Sequence, residues 1–92
     1  MTNEKILKKS VNKWGIDYIH SMCIKEMSEL TQAILKWRRK LGDDEMFKNL
    51  IEEMVDVDIM MSQMKHIYCG EKGLYDTIYQ QKIDKLKERL ES

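Results

Sequence analysis

The helical hydrophobic period of this chain is interrupted by glycine-rich punctuation in only two places, and proline is absent. The first break is Gly42-Asp43-Asp44: glycine suits the C-terminal end of one helix, and aspartate accepts from the free N–H groups that open the next. The second is Cys69-Gly70-Glu71-Lys72-Gly73. These limits predict long helices from about Lys13 to Leu41, Glu45 to Tyr68 and Leu74 to Leu90. Residues 1–12 are expected to form a short lead-in helix capped by Thr2 or Asn3. Leu, Met, Ile, Glu and Lys, all good or tolerable helix formers, dominate these stretches.

The fold class expected is therefore all-α: an antiparallel bundle of three long helices plus a short N-terminal one, in a single domain over residues 1–92. In the first long helix Ile19, Met22, Cys23, Leu30, Ala33, Ile34, Trp37 and Leu41 form one stripe. In the last, Tyr75, Tyr79, Ile83, Leu86 and Leu90 do the same. The middle helix differs, because Phe47, Leu50, Met54, Val57 and Met61 align while Ile59, Met60 and Ile67 fall elsewhere around the axis. A helix apolar on several sides needs more than one neighbour, and a chain this short buries a modest core alone. Oligomerisation, to a dimer or tetramer, is the expected completion of the fold.

Sixteen basic and sixteen acidic residues cancel, which leaves no overall field to recommend a nucleic acid or membrane surface as partner. No apolar run is long enough to span a bilayer, and Met1-Thr2-Asn3-Glu4-Lys5 lacks a signal-peptide core, so the expected location is cytoplasmic. Cys23 and Cys69 have no metal-ligand spacing and are read as reduced thiols.

Four acids stand where apolar residues belong. Glu26 lies in the middle of the first stripe between Met22 and Leu30, with Glu29 one turn on. Glu53 and Asp56 share a face with Met60 and Ile67, and Glu52 and Asp58 add acid nearby. A protein that only had to pack would place Leu or Ala here, since a carboxylate at a helix interface is costly unless compensated. A solvated face paired with lysines accounts for one such pair; two pairs on neighbouring helices fit that account less well. If the helices pack antiparallel the four acids converge, raise one another's pKa values, and are relieved by a divalent cation. Oxygen-only ligands favour a hard ion, Mg²⁺ where phosphate is substrate, with Mn²⁺ as a substitute. Di-iron bundles are the competing metal reading, but those need Glu-x-x-His motifs. His20 and His66 do not follow any glutamate at that spacing, and His20 has only Asp17 there.

Glu26-Met27-Ser28-Glu29, followed by Glu52-Glu53-Met54-Val55-Asp56, resembles the E-x-x-E … E-x-x-D signature of the MazG-like all-α nucleoside triphosphate pyrophosphohydrolases. The flanks Trp14-Gly15-Ile16, Leu30-Thr31-Gln32-Ala33-Ile34 and Asp56-Val57-Asp58-Ile59-Met60-Met61 are similar to those of the short bacterial and phage members. The resemblance implies hydrolysis of a (deoxy)nucleoside triphosphate to the monophosphate and pyrophosphate. It implies Glu26, Glu29, Glu53 and Asp56 as Mg²⁺ ligands, one of them also orienting or deprotonating water. Gln81-Lys82-Ile83-Asp84-Lys85-Leu86-Lys87-Glu88-Arg89 is similar to the family's phosphate-contacting closing segment, which makes Lys82, Lys85 and Arg89 the expected phosphate contacts. Leu86 departs from the asparagine of that segment, and the three cations equally suit a solvated flank near a helix C-terminus. Trp14 is the expected base contact, although aromatics at helical spacing are commonly core. The alternative to an enzyme is a catalytically silent regulatory or interaction protein of the same fold.

Overall fold

The computed structural model describes residues 1–70 and 73–92; Glu71 and Lys72, inside the expected second break, lie outside the described residues. The described chain is all-helical: α1 (Asn3–Trp14), α2 (Ile16–Arg39), α3 (Asp44–Tyr68) and α4 (Leu74–Glu91). Thr2 caps α1, its side chain accepting from the Lys5 N–H at 3.2 Å. Asp43 caps α3 in the same way, accepting from the Met46 N–H at 3.0 Å. The first long helix starts at Ile16, three residues later than expected, because Gly15 sits at φ 84°, a conformation only glycine adopts freely. Lys13 and Trp14 therefore close α1. Leu41 falls outside α2, which ends at Arg39 ahead of the Gly42 turn.

α2 and α3 form the central pair. His20 meets Tyr68, Glu26 faces Glu53 and Asp56, and Trp37 meets Phe47 with ring centroids 5.4 Å apart. Early residues of one helix thus face late residues of the other, so the two run antiparallel, as the short connection requires. α1 lies against the C-terminal half of α3, where the Gln63 amide donates to Ser10 Oγ at 2.7 Å. The core between them is small: Val11, Ile19, Cys23 and Met60, with Met22, Met64 and Ile67 packed around it. Ala33 is buried further along α2, and among the described residues Ile19 is the one large side chain fully buried. Both cysteines are free.

The packing face of α3 corrects the expected stripe. Phe47, Met54 and Met61 of that stripe remain exposed, Phe47 with one side on Trp37, and Leu50 and Val57 are half-buried, while Met60, Gln63 and Ile67, off the stripe, meet the other helices. That is the face that carries Glu53. Ile24, Met27, Ile34 and Leu35 on α2 are exposed as well.

α4 does not join the other helices along its length, so a single chain does not form the expected bundle of three long helices. Its point of attachment is the first turn, where Lys65 Nζ lies 4.2 Å from the Tyr75 ring centroid. Beyond it Tyr79, Ile83, Leu86 and Leu90 are exposed. The Cα radius of gyration is 16.3 Å, against about 12 Å for a compact domain of this length. The accessible surface is 7764 Å², against roughly 5,600 Å² for a compact monomer of this mass. No described helix is long and apolar enough to cross a membrane.

Candidate metal centre

Glu26 comes from the middle of α2, and Glu53 and Asp56 from one turn of α3 directly across from it. Antiparallel pairing converts two sequence-distant acidic motifs into one cluster. One carboxylate oxygen from each of the three lies within 4.8 Å of the others. Opposite ligand oxygens around Mg²⁺ are about 4.2 Å apart, so small rotamer adjustments let one cation touch all three.

The polar accounting of this cluster is incomplete. Glu26 Oε2 and Glu53 Oε2 are both buried and have no hydrogen-bond partner. Buried acceptors left unpaired cost free energy, more so on an ionised group. Among the described residues no Lys or Arg pairs with Glu26, Glu53 or Asp56; the ion pairs present are Lys25–Glu29 and Lys48–Glu52, each 3.8 Å and solvent-exposed. The account in which lysines neutralise the acids thus applies to Glu29 and Glu52 and fails for the other three.

Burial pushes the Glu26 carboxyl above its ordinary value, and contact with Glu29 and the charges of Asp56 and Glu53 add to the rise. Burial is also the main cause of the upward shift of Glu53, followed by the charges of Glu29 and Asp56. Glu29 is the fourth expected acid. It stands beside the three-oxygen group, close enough to act on both glutamates, with its own carboxylate leaning to Lys25. The cluster has oxygen donors alone, unpaired lone pairs and like charges that resist ionising together. Those properties fit a hard divalent cation.

The remaining expected site residues fall in two places. Trp14 borders a small cavity between α2 and α3 whose other walls include Met22 and Met60, one turn from Glu26 and Asp56 respectively. Lys82, Lys85 and Arg89 lie on α4, which does not pack on the pair that holds the acids, so one chain does not bring them together with the cluster. Lys82 instead borders a surface hollow within α4, beside Tyr75, Ile78 and Tyr79.

No protein-family model matches the chain, and neither a curated protein nor a solved structure matches it. One residue of interest escaped the sequence reading: Gln63, 6 % exposed, which also borders the Trp14 cavity. The signal that singled out the acids was present here too, since Gln63 is a polar residue between Met60 and Ile67 on the packing face.

Proposed function

We propose that this chain is a magnesium-dependent nucleoside triphosphate pyrophosphohydrolase that works as a homo-oligomer. The observation that carries the reading is the cluster of Glu26, Glu53 and Asp56, with two buried carboxylate oxygens lacking any partner. Packing alone gives no reason to bury such groups together, whereas a bound cation compensates all of them at once.

On this reading Glu26, Glu53 and Asp56 hold the cation, and Glu29, placed beside them, orients the attacking water and takes its proton. A cation held there would supply charge neutralisation of the triphosphate and polarisation of the attacked phosphorus. Water adds to the α-phosphorus, the bond to the bridging α–β oxygen breaks, and pyrophosphate leaves. Positioning and charge stabilisation are most of what such chemistry requires.

The oligomer is supported by surface that one chain leaves uncovered. The excess over a compact monomer, about 2,000 Å² per chain, is of the size buried in obligate dimers. It includes the apolar side of α4 and the outer faces of α2 and α3. Docking α4 of one copy on the α2–α3 pair of another covers both, and carries Lys82, Lys85 and Arg89 toward the acids as phosphate contacts. The active site is then shared between chains.

The test is pyrophosphate release from a panel of ribo- and deoxyribonucleoside triphosphates, in Mg²⁺ or EDTA, with Glu53→Gln alongside. Metal-dependent release that falls at least about a hundredfold in the variant is the expected result. A folded oligomer that releases nothing, and whose melting temperature ignores Mg²⁺, is instead a silent regulatory or interaction protein, because a cation that binds the folded state must stabilise it.

A further inference from the structure

Sixteen positive and sixteen negative charges cancel in number, but they are segregated along the chain. Residues 1–40 hold nine Lys or Arg against four acids, and residues 41–70 hold two against seven. The sharpest excess is on α1, where Lys5, Lys8, Lys9 and Lys13 are set against a single acid, Glu4. Placed at about 100° per residue, the four lysines fall within one arc of about 140°, on the far side of the helix from buried Val11 and half-buried Leu7.

All four lysines are exposed, and the ion pairs among the described residues, Lys25–Glu29 and Lys48–Glu52, involve none of them. Nor does the arrangement help the helix. Lys5–Lys9 and Lys9–Lys13 are like charges at i, i+4 spacing, which repel, and Lys5 stands in the first turn, where the helix dipole favours an acid. A side that served solvation alone would interleave opposite charges, as α4 does at Asp84–Lys87 and Lys85–Glu88. Ile6, 50 % exposed, lies on the same outer side beside Lys9 and Lys13. Val11 in the core and the Ser10–Gln63 hydrogen bond hold α1 from the other side, so the lysines are presented outward without rearrangement.

We propose that the outer side of α1 docks on an anionic lipid surface, its lysines on the headgroups and Ile6 against the hydrocarbon just beneath. The twelve residues of α1 make a straight strip about 18 Å long, which suits a plane. Charge complementarity supplies the attraction, which grows with each lysine brought to the surface and fades within about 10 Å at 0.1 M salt. Ile6 distinguishes a bilayer from a nucleic acid. A phosphate backbone satisfies the lysines and leaves Ile6 in water, whereas lipid accommodates both. Because the apolar side of α1 is already occupied by α3, the contact is shallow, reversible and sensitive to salt. The inference is independent of the acids on α2 and α3.

The experiment is co-sedimentation of the full chain with vesicles of phosphatidylcholine alone, or with about 30 % phosphatidylserine added. Binding to the anionic vesicles only is expected, falling at least about tenfold between about 0.1 M and about 0.5 M salt. Lys5→Glu with Lys9→Glu should weaken it at least about thirtyfold. Lys36→Glu with Lys40→Glu, the same change of charge at the far end of α2, should weaken it less than about threefold. Ile6→Ser should weaken it a few fold at both salt concentrations, as loss of a hydrocarbon contact does. Should the first pair fail to fold by circular dichroism, Lys8→Gln with Lys13→Gln reads the same side, with a loss of at least about tenfold expected. Absence of anionic preference, equal losses from the two ends, or indifference to both α1 pairs overturns the inference. Duplex DNA is added as competitor: displacement from the vesicles, combined with indifference to Ile6→Ser, assigns this side to nucleic acid and overturns it as well.

Discussion

α2 and α4 begin alike and end differently. Each carries an apolar stripe at helical spacing with basic residues along its flank. On α2 the stripe meets α3, and Ile19, Cys23 and Ala33 are buried there. On α4 no residue is buried. The contrast shows how little an amphipathic pattern says about which neighbour will cover it: a pattern specifies that a face needs burial, and connection geometry decides whether the same chain supplies the cover. A short turn at Gly42 folds α3 back on α2. Among the described residues, α4 is not packed along the pair.

Four measurements break or sharpen this contrast. The largest effect belongs to the packed pair. Ile19→Ala should cost roughly 2–5 kcal/mol in urea unfolding at any protein concentration, since it empties a large site that is fully enclosed. A cost near that of a surface change would mean that the α2–α3 core is not where stability resides.

The unpartnered helix should respond differently. Ile83→Glu with Leu86→Glu should reduce the molar mass seen by light scattering to that of one chain, and remove the concentration dependence of unfolding. An unchanged mass would show that α4 is not the interface.

The third measurement addresses the acids that the packed pair encloses. Folded-state pKa values of Glu26 and Glu53 are raised, so the folded protein holds these protons more tightly than the unfolded chain does. Their contribution to metal-free stability is therefore best below the ordinary value of 4.5 and declines as pH rises through the elevated folded value. In EDTA at pH 7, Glu53→Gln should melt above the unaltered protein, the gap closing as pH falls below 4.5. A gap that widens on acidification contradicts the raised pKa. Saturating Mg²⁺ should shrink the pH 7 gap by stabilising only the protein with the full acid set.

The smallest effect compares helix starts. Asp43 caps α3 with its side chain, whereas Gly73 opens α4 without a side-chain cap. Asp43→Ala should cost about 1 kcal/mol, read as a shift in urea midpoint at constant slope.

Much of the site could be read in the sequence, because the relevant signal is local: Glu26 and Glu53 sit at apolar register positions, and burial of those positions follows from the period. The start of α2 was misplaced because the stripe runs on across Gly15, and a periodicity argument does not register one positive φ. The packing face of α3 was harder still. With apolar residues around most of its circumference, the choice between the Met54 side and the Met60 side depends on where α1 and α2 lie. Gln63 was legible as a misplaced polar residue, yet its orphaned carbonyl was not, since that depends on Ser10, fifty-three positions away.

The sequence by itself determined that this chain is helical, that breaks fall near Gly42 and just before Leu74, and that acids occupy positions meant for burial. Those properties follow from backbone propensity, capping and a period of 3.6 residues, all of which act over a few neighbours. The tertiary structure alone decided that Glu26, Glu53 and Asp56 meet, that two of their oxygens lack partners, and that α4 stands apart. The reason is physical. Which faces meet is a competition among all the apolar surfaces of the chain, and the satisfaction of a buried polar atom is known only when every neighbour is in place.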